Sequence, residues 1–157
     1  MSETRLETGA KAPDFSLPNQ DDKSVGLKSF SGKKAIVYFY PAAATPGCTK
    51  EACDFEESLN VFTAAGYSVV GISPDPTKKL AKFVKDQKLR FDLLSDADLA
   101  VHKTYGAYGL KKLYGREYEG VLRSTFVLDE SGTIVHALYN VKATGHVEML
   151  KKLLGLS

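Results

Sequence analysis

The chain has 157 residues and a formal charge of +2, with 43% apolar and 25% charged residues. These values are close to those of ordinary globular proteins, so a long disordered stretch is not expected. The basic residues are dispersed and no apolar run approaches the roughly 20 residues that span a bilayer, which argues against a nucleic-acid surface and a membrane segment.

The length suits one domain over residues 1–157. The N-terminal residues lack the charged-then-apolar pattern of a signal peptide, so a cytoplasmic protein is expected.

Apolar runs alternate with helical patterns along the chain, which indicates an α/β domain. Residues 34–40 are β-branched and aromatic and predict a central buried strand, which Pro41 ends because proline cannot donate to a sheet ladder. A helix is expected from Pro46 to about Ala65, with Gly66 as its stop. The other predicted strands and extended segments are residues 12–17, 24–27, 67–73, 91–94, 124–129 and 133–141.

In the second half, Thr77 is expected to cap a helix that runs to about Lys88, and residues 98–105 are expected to be helical. Residues 106–120 are rich in Gly, Tyr and Lys and are predicted to be the least regular segment. Thr144 or Gly145 is expected to open a last helix that ends near Leu154. This order predicts a thioredoxin-like fold, with a central mixed β-sheet flanked by helices and an N-terminal extension.

Cys48 and Cys53 are the only cysteines of the sequence. A static structural disulfide is not expected in a reducing cytoplasm. Two cysteines and three scattered histidines also lack zinc-finger spacing. Either these thiols are inert and buried, or they carry redox chemistry.

Cys48 is predicted to lie in the first turn of a helix. Thr45 is a good N-cap residue, and Pro46 suits the first helical position. Free backbone N–H groups and a partial positive charge at this helix end stabilise a thiolate over a thiol. The alternative is that Cys48 is a small buried hydrophobic residue.

The spacing of the two cysteines has a structural consequence. In one regular helix, residues 48 and 53 are ~7.5 Å apart along the axis and ~140° apart around it. Their Cα atoms would be about 8.6 Å apart, beyond the usual disulfide limit of about 6.8 Å. A disulfide therefore requires the first turns to unwind, and Gly47 and Thr49 are weak helix formers. The alternative for Cys53 is simple burial on the inner face of the helix.

The pattern Pro41-x-x-x-Thr45-x-x-Cys48, directly after an apolar strand and opening a helix, resembles the active-site motif of the peroxiredoxins. The flanking Y-F-Y-P and T-P-G-C-T-x-E-A-C are similar to the peroxiredoxin Q subgroup, also called bacterioferritin comigratory protein. The similarity extends from A-P-D-F-S-L-P-N to R-S-T-F-V-L-D and the terminal helix, which is nearly the whole chain.

The resemblance implies a role for each matching residue. Cys48 matches the peroxidatic cysteine, which attacks the peroxide O–O bond. Thr45 matches the threonine whose hydroxyl holds the thiolate and the substrate oxygen, although taken alone it is only a helix cap. Pro41 matches the residue that shields the site from water.

Three further roles follow from the same resemblance. Arg123 matches the arginine that stabilises the thiolate and the developing charge, and Glu51 matches the acid that orients this arginine. Without the resemblance, Arg123 would be read as a surface charge and Glu51 as an ordinary first-turn acid. Cys53 matches the resolving cysteine. Some members carry that cysteine on the next helix, but residues 77–88 contain none, with Val84 on that helix.

The implied activity is reduction of a hydroperoxide without a metal or other cofactor, recycled by thioredoxin or a similar dithiol, in a protein that is often monomeric. Three other functions stay open. A thiol–disulfide oxidoreductase usually presents C-x-x-C, whereas four residues separate the cysteines here. The others are a peroxide sensor that passes oxidation to a partner and a non-catalytic domain.

Overall fold

The computed structural model describes residues 5–113 and 115–156, with the backbone alone at 112 and 113. Within these residues the strands are Ser16–Pro18 (β1), Ser24–Gly26 (β2), Lys34–Phe39 (β3), Tyr67–Ser73 (β4), Asp92–Ser95 (β5), Tyr108–Leu113 (β6), Arg116–Val121 (β7), Ser124–Leu128 (β8) and Ile134–Leu138 (β9). The α-helices are Pro46–Glu57 (α1), Leu59–Ala64 (α2), Thr77–Gln87 (α3), Ala100–Thr104 (α4) and His146–Leu153 (α5).

The central sheet has five strands in the order β5-β4-β3-β8-β9. Strands β3, β4 and β5 are parallel, while β8 and β9 are antiparallel to their neighbours. The sheet is therefore mixed, and the predicted thioredoxin-like fold class is confirmed. Strands β1 and β2 form a separate antiparallel pair, and the N-terminal extension stays a prediction.

Strand β3 is the middle of the sheet and is buried on both faces, which explains its nearly continuous apolar sequence. On one face Ile36, Tyr38 and the following Tyr40 pack in a cluster that includes residues of α1, α3 and α5. On the other face Val37 and Phe39 pack against the N-terminal segment and the end of α4. The first of these layers contains Cys48.

Two predicted helix boundaries are wrong. The helix expected over residues 46–65 is divided at Ser58, whose backbone (φ −98°, ψ 3°) ends α1 and precedes α2. Serine is only a moderate helix former, so a break at this position costs little, although the Ser58 side chain makes no capping hydrogen bond. Thr77 is not the cap of α3 but its first residue, because the extended residue before the helix is Pro76. The predicted start of α5 is confirmed, with Gly145 as its N-cap residue.

The segment 106–120 is not irregular as predicted: it forms most of the antiparallel β6–β7 hairpin. Residues 116–119 are all exposed, so β7 lacks over these residues the alternation of buried and exposed side chains that identifies a strand from sequence. The order of the hairpin comes from backbone pairing, and Gly115 supplies the positive φ of 76° next to the turn. The strand expected over 133–141 is shorter, at Ile134–Leu138.

Candidate active site

The site is built on the loop that joins β3 to α1. The amide of Tyr40 donates to the carbonyl of Ile72 on β4, at 3.1 Å, and Pro41 then begins the loop in a partly exposed position. Helix α1 starts at Pro46, and its first backbone bond runs from Thr49 to the carbonyl of Thr45, at 2.8 Å. The loop thus lies at the carboxyl end of β3, and helix α1 then packs back over one face of the sheet.

Thr45 occupies the predicted N-cap position, with φ −79° and ψ 154°, but the predicted capping bond is not made. Its hydroxyl instead donates to the carbonyl of Ala42, at 2.8 Å. This bond closes the turn that precedes the helix. The hydroxyl oxygen therefore lies by the loop carbonyl and accepts no hydrogen bond from the first turn of α1.

Cys48 lies in the first turn of α1, with its side chain in the core layer and 1% of the residue exposed. This turn belongs to the helix end whose N–H groups lack intrahelical acceptors and carry partial positive charge. The Nη2 group of Arg123 donates to the Cys48 sulfur at 3.3 Å. A helix end and a guanidinium therefore both favour negative charge on this sulfur.

Arg123 is held in place from its other side by Glu51. Its Nη1 group donates to Glu51 Oε1 at 2.6 Å, and the two side chains are 16% and 0% exposed. Arg123 directly precedes β8, whose first residue Ser124 pairs with Phe39 at the end of β3. Strand pairing therefore brings the arginine to the start of α1. Arg123 is not a surface charge and Glu51 is not an ordinary first-turn acid, because the two pair with each other and are largely buried, so both of those interpretations are wrong.

Burial and the neighbouring charges act in opposite directions on the ionisation of this pair. Burial raises the pKa of Glu51 to about 7, although the nearby Arg123 acts in the opposite direction. Burial also disfavours the charge of Arg123, but Glu51 and Cys48 outweigh it and raise the arginine's pKa. Among the described residues, Glu51 Oε2 has no hydrogen-bond partner, which is consistent with the desolvation of this carboxyl group.

A pH-dependent stability follows from the Glu51 shift. Because its pKa rises from 4.5 to about 7 on folding, the native state binds the proton more tightly than the unfolded state. Glu51 therefore contributes most stability below pH 4.5 and loses it as the pH rises through 7. Relative to the Glu51→Gln variant, the wild type should lose about 3 kcal/mol of unfolding free energy between pH 4 and pH 8.

Urea unfolding of both proteins at several pH values measures this difference. The exposed Glu57 lies on the same helix, so Glu57→Gln is a matched control for removing a carboxylate from α1. A wild type that gains stability over Glu51→Gln as the pH rises would show that the attraction of Arg123 outweighs burial.

Cys53 lies on the same helix but in different surroundings. It is half-buried, and its Sγ donates to Gln87 Oε1 at the end of α3, at 3.3 Å. Burial raises the pKa of Cys53, and the carboxylates of Asp54 and Glu57 act in the same direction. Both cysteines are free thiols within an unbroken α1, so a bond between them requires this helix to unwind.

Asp75 is not among the residues predicted for the site, although its side chain contacts the loop. Asp75 Oδ2 accepts from the backbone amide of Ala43 at 2.6 Å. A signal was available: β3 and β4 are adjacent and parallel, so residues that follow their carboxyl ends meet at one edge of the sheet. Asp75 follows β4 as Ala43 follows β3.

Within residues 5–113 and 115–156, no group of three or more His, Cys, Asp or Glu is placed to hold a metal ion. In the same part of the chain, none of the helices is both long and apolar enough to traverse a lipid bilayer.

Comparison with known sequences shows what the chain is similar to. The sequence model of the AhpC/TSA family matches residues 8–137. A putative peroxiredoxin of Mycobacterium tuberculosis is 58% identical over 149 residues, which are 95% of each protein. Peroxiredoxin Bcp of Escherichia coli is 41% identical over 145 residues, 92% of this chain and 93% of the relative.

Solved structures give the same result. One is the bacterioferritin comigratory protein of Xanthomonas campestris, studied for its alkyl peroxide reduction activity. It superposes with a TM-score of 0.86 at 34% identity and covers 96% of both chains. The peroxidoxin BcpB of Mycobacterium tuberculosis has a TM-score of 0.84 at 34% identity, covering 98% of this chain and 99% of the other.

Proposed function

Because the chain belongs to the AhpC/TSA family and, within it, to the peroxiredoxin Q/Bcp subgroup, we propose that Cys48 is its peroxidatic cysteine and Cys53 its resolving cysteine. The protein is a peroxiredoxin, an enzyme that reduces hydroperoxides with electrons from thiols. The assignment of individual residues rests on the geometry of the site.

The contact between Arg123 Nη2 and Cys48 Sγ, at 3.3 Å, carries this proposal. The guanidinium of Arg123 contacts the sulfur in the first turn of α1. Glu51 accepts a hydrogen bond from the same guanidinium and favours its positive charge. A thiolate is the reactive form of cysteine, and an adjacent cation and a helix N-terminus both favour it. Cys53 has no comparable cation contact in the described structure, and its sulfur donates to an amide oxygen. Burial raises its pKa, with nearby carboxylates acting in the same direction and Lys50 in the opposite one.

The proposed reaction has three steps: oxidation of Cys48, formation of the disulfide and its reduction. The Cys48 thiolate attacks one peroxide oxygen, an S–O bond forms, the O–O bond breaks, and water or an alcohol leaves after taking up a proton. The sulfur is oxidised to a sulfenic acid. Cys53 then condenses with it, which forms a disulfide and releases water. A dithiol reduces this disulfide by thiol exchange.

The loop residues serve the first step. Thr45 would transfer its hydrogen bond from the Ala42 carbonyl to the sulfur or the bound peroxide, so that Thr45 and Arg123 together stabilise charge on the reacting atoms. Pro41 would shield the sulfur from water. No metal or other cofactor takes part in these steps.

The second step requires a local folding change. The first turns of α1 unwind, which releases Cys53 from Gln87 and brings the two sulfurs together. Thioredoxin or a similar dithiol is the proposed reductant, the protein is proposed to act as a monomer, and its proposed location is the cytoplasm.

One equivalent of hydrogen peroxide added to the reduced protein tests the cysteine pair. We expect the mass to fall by two hydrogens, with a non-reducing digest that links residues 48 and 53. In Cys53→Ser the reaction should stop after one turnover at a sulfenic acid that dimedone captures, because the condensing thiol is gone.

The same variant separates the alternatives. If Cys53→Ser cycles normally with thioredoxin, the resolving assignment is wrong. If the wild type reacts rapidly with peroxide but no dithiol restores it, a sensor that passes its oxidation to a partner is favoured. Reduction of insulin disulfides faster than consumption of peroxide would favour a thiol–disulfide oxidoreductase.

A further inference from the structure

Asp75 joins the ends of two parallel strands through one carboxylate oxygen. It follows β4, is 8% exposed, and its Oδ2 accepts from the amide of Ala43 at 2.6 Å and from the hydroxyl of Ser73 at 2.9 Å. Bonds from neutral donors to a buried carboxylate are charge-assisted and stronger than neutral ones. The other oxygen, Oδ1, lies 3.2 Å from the ammonium of Lys79 on α3, toward the surface.

The loop that receives this bond, residues 41–45, needs an anchor. Ala44 has a φ of 66°, a left-handed conformation that costs energy in a residue other than glycine. The side chains of residues 42–44 are methyl groups and cannot form polar anchors. The Thr45 hydroxyl bonds to the carbonyl of Ala42, which lies within the loop itself. The Asp75 bond, by contrast, ties the loop to a strand end in the sheet.

We infer that Asp75 is a positioning residue for the peroxide reaction: by holding the Ala43 amide, it fixes the loop that places Thr45 and the first turn of α1 against Arg123. This inference rests on the proposed role of Cys48. Asp75 acts through the backbone and does not contact the peroxide. A displacement of about 1 Å at a reacting centre is enough to lower a rate about 100-fold, so loosening this anchor has a specific cost in the peroxide step.

Two reactions of the Cys48 sulfur distinguish positioning from general thiol reactivity. Peroxide reduction needs the sulfur, Thr45 and Arg123 in one arrangement, whereas alkylation by iodoacetamide needs a thiolate without that arrangement. For Asp75→Ala we expect the second-order rate constant with hydrogen peroxide to fall about 100-fold. The rate constant of the fully ionised Cys48 thiolate with iodoacetamide, taken from the plateau of its pH profile, should stay within about threefold of the wild type. A Cys53→Ser background confines both measurements to Cys48.

The conservative variant and two controls sharpen the test. Asp75→Asn keeps an acceptor oxygen for the Ala43 amide and should restore the peroxide rate to within about tenfold of the wild type. Asp129→Ala also removes a turn carboxylate that accepts backbone N–H groups, those of Ser131 and Thr133, but in the β8–β9 turn. Lys79→Ala removes only the outer ion pair. Neither control should change the peroxide rate by more than about threefold.

The outcomes separate this inference from the proposed function. A wild type no faster with peroxide than a free thiol would overturn the role of Cys48. A fast wild type with an equally fast Asp75→Ala would overturn the role of Asp75 alone. Equal losses in the peroxide and iodoacetamide reactions, or an Asp75→Asn variant as slow as Asp75→Ala, would also refute positioning through the accepted hydrogen bond.

A spectroscopic measurement covers the case in which Asp75→Ala does not fold. The Ala43 amide proton of the reduced wild type should resonate far downfield, because its donor–acceptor distance of 2.6 Å is short. In Asp75→Asn the signal should move upfield as the charge of the acceptor is lost. An unchanged Ala43 signal in that variant would refute the inference.

Discussion

Replacing Cys48 with serine should reduce the peroxide reaction to the rate seen without enzyme. The sulfur of Cys48 is the atom that loses electrons to the peroxide, and a thiolate is far easier to form and more nucleophilic than an alkoxide. Serine leaves the guanidinium of Arg123 and the first turn of α1 in place. The variant therefore removes the reacting atom while retaining its surroundings. Stopped-flow measurement of peroxide consumption gives the rate.

Cys53→Ser is the matched control, because it makes the same exchange on the same helix. It should retain one rapid oxidation, whereas Cys48→Ser should show none. Thermal unfolding of both variants establishes that they are folded. If Cys48→Ser still consumes peroxide and Cys53→Ser does not, the two roles are exchanged.

Sequence predicts well those parts of the fold in which the pattern of apolar residues matches the burial of the side chains. Strand β3 is apolar along its length because the sheet buries it on both faces, and its predicted range of 34–40 differs from the observed Lys34–Phe39 by one residue. The β6–β7 hairpin could not be recognised in this way. Most of β7 is exposed to solvent, so its sequence does not need to alternate between apolar and polar side chains. The break at Ser58 likewise depends on a single residue within a helical pattern.

The same distinction applies to the site. The position of Cys48 in the first turn of a helix follows from Thr45 and Pro46, which are its near neighbours in sequence. The contact of Cys48 with Arg123 joins residues 75 positions apart, and only the pairing of β3 with β8 creates it. Only the resemblance to the peroxiredoxins predicts roles for Arg123 and Glu51 in the site. Local physical chemistry alone predicts a surface charge for Arg123 and an ordinary first-turn acid for Glu51. Asp75 shows the limit most clearly: two adjacent parallel strands bring it near residue 43, but its partner is a backbone amide, so no side-chain pattern identifies the contact itself.

Replacing Arg123 with leucine should lower the second-order rate constant with hydrogen peroxide about 100- to 1000-fold, the cost of removing a preorganised donor from a site where charge develops. The guanidinium donates to Cys48 Sγ at 3.3 Å in the resting state, so it is within reach of an oxygen that bonds to that sulfur. Arg123→Lys keeps the charge but loses the planar, two-armed geometry that also engages Glu51, so it should be only partly active. Arg90→Leu is the control, because this arginine is exposed and pairs with Glu56.

The ion pair complicates this prediction, since Arg123→Leu leaves the buried Glu51 without its cation. Removing one partner of a buried pair is strongly destabilising, whereas removing both is often close to neutral. In the double variant Arg123→Leu/Glu51→Gln, the stability to urea should therefore recover toward that of the wild type, while the peroxide rate stays low. A peroxide rate that recovers together with stability would mean that Arg123 only supports the fold. A rate that stays low in a stable protein assigns the loss to the missing guanidinium at the sulfur.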